Sequence, residues 1–129
     1  MLEYTIMKPD GILLLEPHAP LSADDFAGLA RYVDEYLADH PRMHGVLIHA
    51  AAFPGWENFA AFIAHLRFVG NHHKKIERVA LVTDSPAARV VESLAKHFTA
   101  AQIKHFSFTD YDTALSWLEA PTGNTSTPL

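Results

Sequence analysis

The sequence predicts an α/β domain: a mainly parallel five-stranded sheet with an antiparallel amino-terminal strand, in the order β-β-α-β-α-β-α-β-α. Three observations carry this. Two short apolar runs, residues 2–7 (LEYTIM) and 12–16 (ILLLE), flank the turn-forming Lys8-Pro9-Asp10-Gly11. A later run, 45–50 (GVLIHA), has strand length and is nearly all apolar, as a strand covered on both faces is, and 77–83 (ERVALVT) reads as another buried strand. The stretches between them carry helical periodicity, and strands that alternate with helices pair in parallel through crossovers.

The elements follow in order. In the first turn, proline presets one dihedral and glycine accepts a positive φ, so the first two strands form an antiparallel hairpin. Residues 17–21 make a loop. Ser22 is placed as a helix N-cap, with Asp25 three residues on in the capping-box position and Asp24 also acidic in the first turn. That helix runs to about Asp39, with Phe26, Leu29, Ala30, Val33 and Leu37 on one face, and His40-Pro41 ends it. A second helix is expected over residues 56–71, after the strand at 45–50. After the strand at 77–83, Asp84-Ser85-Pro86 reads as a helix start, a capping residue with proline in the first turn, and this third helix extends to about Phe98. Residues 103–108 form the fifth strand, and Thr109 or Asp110 caps a last helix over 111–119. Residues 1–120 make one domain; 121–129 (PTGNTSTPL) are polar and rich in turn formers, and are expected to be a disordered tail.

Composition excludes more than it assigns. The chain has 129 residues, 49% of them apolar, enough for one core. A formal charge of -5 and the lack of a basic stripe argue against nucleic acid as a partner. There is no cysteine, so disulfides, thiolate catalysis and cysteine metal sites are out. No basic stretch precedes an apolar one at the amino end, and no apolar run approaches the roughly 18 residues of a membrane span. The expectation is therefore a cytoplasmic domain with no integral membrane segment. Neither a Walker loop, nor G-x-G-x-x-G, nor a G-x-S-x-G elbow occurs. The nine histidines show no H-E-x-x-H or H-x-H spacing, so no metal site is expected. No cofactor and no catalytic residue is expected, the carboxylates reading as spread along helix exteriors.

One stretch stands out. Residues 49–75 hold one of the two tryptophans and, at Phe53, Phe59, Phe62 and Phe68, half of the eight phenylalanines. Phe53, Pro54 and Trp56 follow a central strand at its carboxyl end, where open α/β sheets bind ligands. Phe59 and Phe62 widen the apolar face of the following helix beyond the roughly 100° needed to cover a sheet. Thr83, Asp84 and Ser85 end the neighbouring strand and would add polar groups to the same rim. These eight residues are the candidate site for a ligand or partner. A plainer reading stands beside it: Trp56 plugs the strand-to-helix corner, and Asp84 caps a helix. His72-His73-Lys74-Lys75 reads as a solvated, cationic helix end.

Together with the element order, GILLLEPHAPLSADDF, GVLIHAAAFPGWENFAAFIAHLRFVGNHHKKIERVALVTDS and HFSFTDYDTALSWLEA resemble the SpoIIAA-like, or STAS-like, family over residues 2–120. The resemblance implies a fold shared with anti-sigma-factor antagonists and related to the lipid-binding CRAL-TRIO (Sec14-like) domains. It implies no agreed activity. One departure matters. Those antagonists are switched by phosphorylation of a Ser or Thr at the start of the helix after the third strand, and this chain has no Ser or Thr between Ser22 and Thr83. A phosphate switch has no hydroxyl there. The leading expectation is a non-enzymatic protein-interaction module, homodimeric. The alternative is a binder of a small apolar or lipid-like molecule near Phe53, Trp56 and the Thr83–Ser85 turn. An enzyme using His49 or Asp84 is a third.

Overall fold

A computed structural model of the chain describes residues 2–7, 11–57, 59–86, 88, 92 and 101–120, apart from the side chains of Phe59, Ala60 and Phe62. The expected third helix, beyond Ala88 and Glu92, and the expected tail at 121–129 lie outside the described residues.

The sheet has five strands in the order β1-β2-β3-β4-β5. β1 (Leu2–Met7) runs antiparallel to β2 (Ile12–Pro17); β3 (Met43–His49), β4 (Ile76–Val82) and β5 (Gln102–Phe106) continue parallel to β2. This is the predicted architecture. The hairpin closes with Gly11 at φ +70, its amide donating to the Met7 carbonyl at 3.0 Å. The positive φ favours glycine here, and a Cβ on Gly11 would also displace the Tyr36 hydroxyl.

Helix α1 (Ala23–Asp39) begins as its sequence requires. The Ser22 Oγ accepts from the Asp25 amide at 3.0 Å, and the Asp25 carboxylate accepts from the Ser22 amide at 2.8 Å. This reciprocal pair satisfies two amides that the helix itself leaves open. Helix α2 (Phe59–His72) continues as a single 3-10 turn, His73–Lys75, into β4. Helix α3 (Tyr111–Glu119) closes the described chain. Asp110 is its N-cap by position, but its side chain makes no capping bond, so the expected cap contributes charge near the helix start rather than a hydrogen bond.

Strand alternation sends neighbouring residues to opposite faces and makes two cores. Leu13, Leu15, Val46 and Ile48 face α1 and α2, packing with Leu29, Val33 and Phe68. Ile12, Leu47, Ala80, Val82 and Phe106 face α3, packing with Ala114 and Leu118. α3 lies close to the sheet: a Cβ on Gly45 would stand 2.9 Å from Leu118 Cδ2. Its carboxyl end is held from below, where the Arg78 guanidinium donates to the Trp117 and Ala120 carbonyls and lies 5.3 Å from the Trp117 ring centroid. The helix has no basic residue in its last turn, so β4 supplies the cation that its terminal carbonyls attract.

Candidate functional site

The stretch after β3 folds into an aromatic lip. The helix does not begin at Trp56 as the spacing predicts; it begins at Phe59, and Trp56 pairs with Leu21 as an isolated parallel bridge. The Leu21 amide donates to the Gly55 carbonyl at 2.8 Å and the Glu57 amide to the Leu21 carbonyl at 2.7 Å. Those bonds hold the segment extended and compete with the helical turn that the apolar spacing suggests. Gly55, at φ +87, turns the chain into this bridge.

The rings then line up. Phe53 meets Trp56 edge to face at 5.0 Å and 69°. The Trp56 indole Nε1–H donates to His65 Nδ1 of α2 at 3.1 Å. The His65 ring stacks on Phe26 of α1 at 4.9 Å and 11°. Phe26 is buried, whereas Phe53 and Trp56 are exposed, so the line runs from the α1 core to solvent. Burial pushes the His65 imidazole below its ordinary pKa of 6.5. Leu66 of α2 is exposed as well. Pro54 is half-buried within the lip. The side chains of Phe59 and Phe62 lie outside the described residues.

Thr83, Asp84 and Ser85 sit next to the lip, Asp84 exposed and the other two half-buried, and tie loops together. The Thr83 hydroxyl donates to the Ala51 carbonyl at 3.3 Å and accepts from the Ser85 amide at 3.1 Å. The Asp84 carboxylate accepts from the Phe108 amide at 3.0 Å. Asp84, expected as a helix cap, thus ties the β4 end to the loop after β5. The cleft along Glu3 and Glu16 and the apolar cavity under α2 are lined by other residues than Phe53, Trp56 and these three.

The opposite side of the same sheet edge holds a cluster that the sequence reading missed. His49 ends β3 on the α3 side. Its ring stacks flat on Phe108 at 4.4 Å and 3°, and Tyr111 meets it edge-on at 5.1 Å. Its Nδ1 lies 3.4 Å from the Glu16 carboxylate at the end of β2. Glu16 stands directly opposite Glu3 in the hairpin register, and Glu3 pairs with His18 at 2.6 Å. A shallow cleft of about 510 Å³ opens along Glu3, Thr5, Leu14 and Glu16. Burial, then the charges of Glu16 and Asp112, pushes the Tyr111 phenol above its ordinary pKa of 10.0, which keeps it a neutral donor. The carboxylates therefore do not all line helix exteriors; two meet at the strand ends. The signal was the hairpin itself, since its register fixes which glutamates oppose each other. Among the described residues, no three histidine or carboxylate side chains converge as a metal site would require.

His72 is also not the solvated residue its basic neighbours suggest. It is buried, with Nδ1 2.8 Å from the Phe68 carbonyl and Nε2 2.8 Å from the Asp34 carboxylate, which fastens α2 to α1.

Comparison with known proteins matches this geometry to a family. A family profile described as SpoIIAA-like matches residues 12–119. The crystal structure of an uncharacterized protein from the DUF3478 family with a SpoIIAA-like fold, from Shewanella loihica PV-4, superposes with a TM-score of 0.75. It is 22% identical, and the match covers 92% of each chain. No curated protein matches the chain. At that identity the likeness carries the fold and not a function. Among the described residues, no helix is long and apolar enough to cross a membrane.

Proposed function

The chain belongs to the SpoIIAA-like family, and from that premise we propose that it is a non-catalytic, cytoplasmic interaction module that self-associates through the Phe53–Trp56 lip. One observation carries the reading. Phe53 is 43% exposed, Trp56 37% and Leu66 of α2 53%, the large apolar side chains that the fold leaves in water among the described residues. Aromatic groups held at a surface by their own contacts are typical anchors of protein interfaces. A second copy of the chain is the occupant, because a two-fold contact needs one patch that complements itself, and an edge-to-face aromatic pair can do so.

The alternative, an apolar ligand at the strand ends, draws less support. An apolar cavity lies beneath α2, lined by residues such as Leu15, Val46, Ile48, Phe68 and Leu81 and by none of the lip residues. Its volume of about 200 Å³ is below the roughly 300–1,000 Å³ usual for ligand sites. An enzymatic use of His49 draws little either: its 3.4 Å approach to Glu16 is longer than a well-formed hydrogen bond.

Sizing with light scattering tests the proposal. The wild-type chain is expected as a dimer and Phe53→Ser as a monomer with unchanged folding. A wild-type monomer at the highest soluble concentration would end the self-association reading.

A further inference from the structure

Resting on that contact surface, we propose that a single proton on His65 controls it: the neutral ring holds the Trp56 side chain in place, and the charged ring releases it. An indole nitrogen only donates. The Trp56 Nε1–H points at His65 Nδ1 at 3.1 Å, so that nitrogen must be bare and the proton of the neutral ring sits on Nε2. Adding a proton fills Nδ1 and turns the acceptor into a second donor, facing the indole donor head-on.

The ring has little room to turn away, because Phe26 of α1 stacks on it at 4.9 Å. The groups packed on its two sides, Phe26 from α1 and Trp56 from the lip, carry no charge. Burial is the cause of its lowered pKa, and no charged group adds to it. A charged His65 thus meets a repelling donor and an apolar wall, with no counter-ion among those contacts to reward it.

What gives way is the Trp56 side chain. Its backbone stays clamped to Leu21 by the bonds at Gly55 and Glu57. An indole that loses the His65 hydrogen bond loses the bond that orients it against Phe53, its edge-to-face partner. The lip then loses its fixed shape, and ordering it against a second copy costs more. Association through the lip is therefore coupled to proton release, in a window below pH 6.5.

Two measurements test this separately. Indole N–H cross-peaks in a ¹H–¹⁵N spectrum read the hydrogen bond in the chain whatever its oligomeric state. Two are expected, for Trp56 and Trp117, and Trp56→Phe assigns them. The Trp56 peak should move with a one-proton midpoint below pH 6.5, and His65→Gln, which keeps an acceptor but does not titrate, should flatten the movement. A Trp56 peak that stays still on acidification, or moves equally in His65→Gln, overturns the proposal, as does a neutral His65 found protonated on Nδ1. Sedimentation at about pH 7.5 and about pH 5.5, on either side of the histidine range, then reads the contact. The wild-type dimer should weaken at the lower pH by about fivefold more than the His65→Gln dimer. Equal weakening overturns the control of the contact. A wild-type monomer at both values overturns the contact-surface reading itself, while the indole spectrum still decides the hydrogen bond.

Discussion

On the α1 and α2 side of the sheet's carboxyl edge, Phe26, His65, Trp56 and Phe53 stack outward in a line joined by one side-chain hydrogen bond. On the α3 side, His49 lies between Phe108 and Tyr111, above two glutamates that face each other across the hairpin. Both sides place a histidine against aromatic rings. They differ in which added charge they resist. The first contains no formal charge along its line, so it is vulnerable to a proton. The second already holds carboxylates: burial, then the charges of Glu16 and Asp112, keeps Tyr111 protonated. The two sides should therefore fail at opposite ends of the pH scale, and substitutions can break or sharpen that contrast.

The largest effect is expected where the first line enters the core. Phe26 is 5% exposed, and Phe26→Ala should cost about 3–5 kcal/mol in urea unfolding. Leu118→Ala, its counterpart beneath α3 at 0% exposed, should cost about 2–5 kcal/mol. The contrast lies in the spectra. Phe26→Ala should shift the Trp56 indole resonance and leave Trp117 unmoved, while Leu118→Ala should do the reverse. Equal disturbance of both indoles by either variant would mean that the two sides are one unit.

Why the first side was half legible and the second was not follows from what each depends on. Apolar spacing and cap chemistry are local, so the strands, the Ser22–Asp25 box and the Tyr111–Glu119 helix could be read directly. The lip residues could be named because aromatics beside Pro54-Gly55 at a strand end are a local pattern. The departure of Trp56 from the helix could not, since the competing bonds come from Leu21, far back in the chain. The α3-side cluster draws on β1, β2, β3 and α3 together, and no single window holds Glu3, Glu16, His49 and Tyr111. His72 shows the same limit: its neighbours in sequence are basic and solvated, but its partner is Asp34.

The second effect is the acid limb. His65 has a folded-state pKa below its ordinary 6.5, so the unfolded chain binds the extra proton first. Its stabilising contribution is full above pH 6.5 and is lost as the pH falls through the lowered value. The slope for one proton is at most about 1.4 kcal/mol per pH unit. Thermal melts between pH 7.5 and 5 should show the loss in wild type, reduced by that one-proton share in His65→Gln. If both proteins lose stability in parallel, His65 is not the source of the limb.

The alkaline limb is the mirror image. The Tyr111 pKa is raised above 10.0, first by burial and then by Glu16 and Asp112. Stability from this group is intact below pH 10 and falls as the pH rises through the raised value, because the unfolded chain releases its proton first. Tyr111→Phe should remove that part of the limb while changing little at neutral pH. Glu16→Gln should lower the phenol's titration midpoint toward 10 without abolishing the shift, since burial leads the causes. A phenol unchanged in Glu16→Gln would leave burial and Asp112 to explain it.

The smallest effect on stability falls at the exposed tip. Phe53 is 43% exposed and meets Trp56 edge to face, so Phe53→Ser should alter unfolding by about 0.5 kcal/mol or less. The Glu3→Gln change on the other side should be of similar size, about 0.2–1 kcal/mol and stabilising at neutral pH, because it relieves like charges placed directly opposite. The two substitutions then part on association. Phe53→Ser is expected to abolish the dimer and Glu3→Gln to leave it intact, as measured by light scattering at matched concentration. If Glu3→Gln dissociates the chain while Phe53→Ser does not, the contact lies on the α3 side and the lip is only the closing turn of a strand. A side chain that costs almost nothing to fold and everything to associate is what separates a surface built for a partner from one left over by packing.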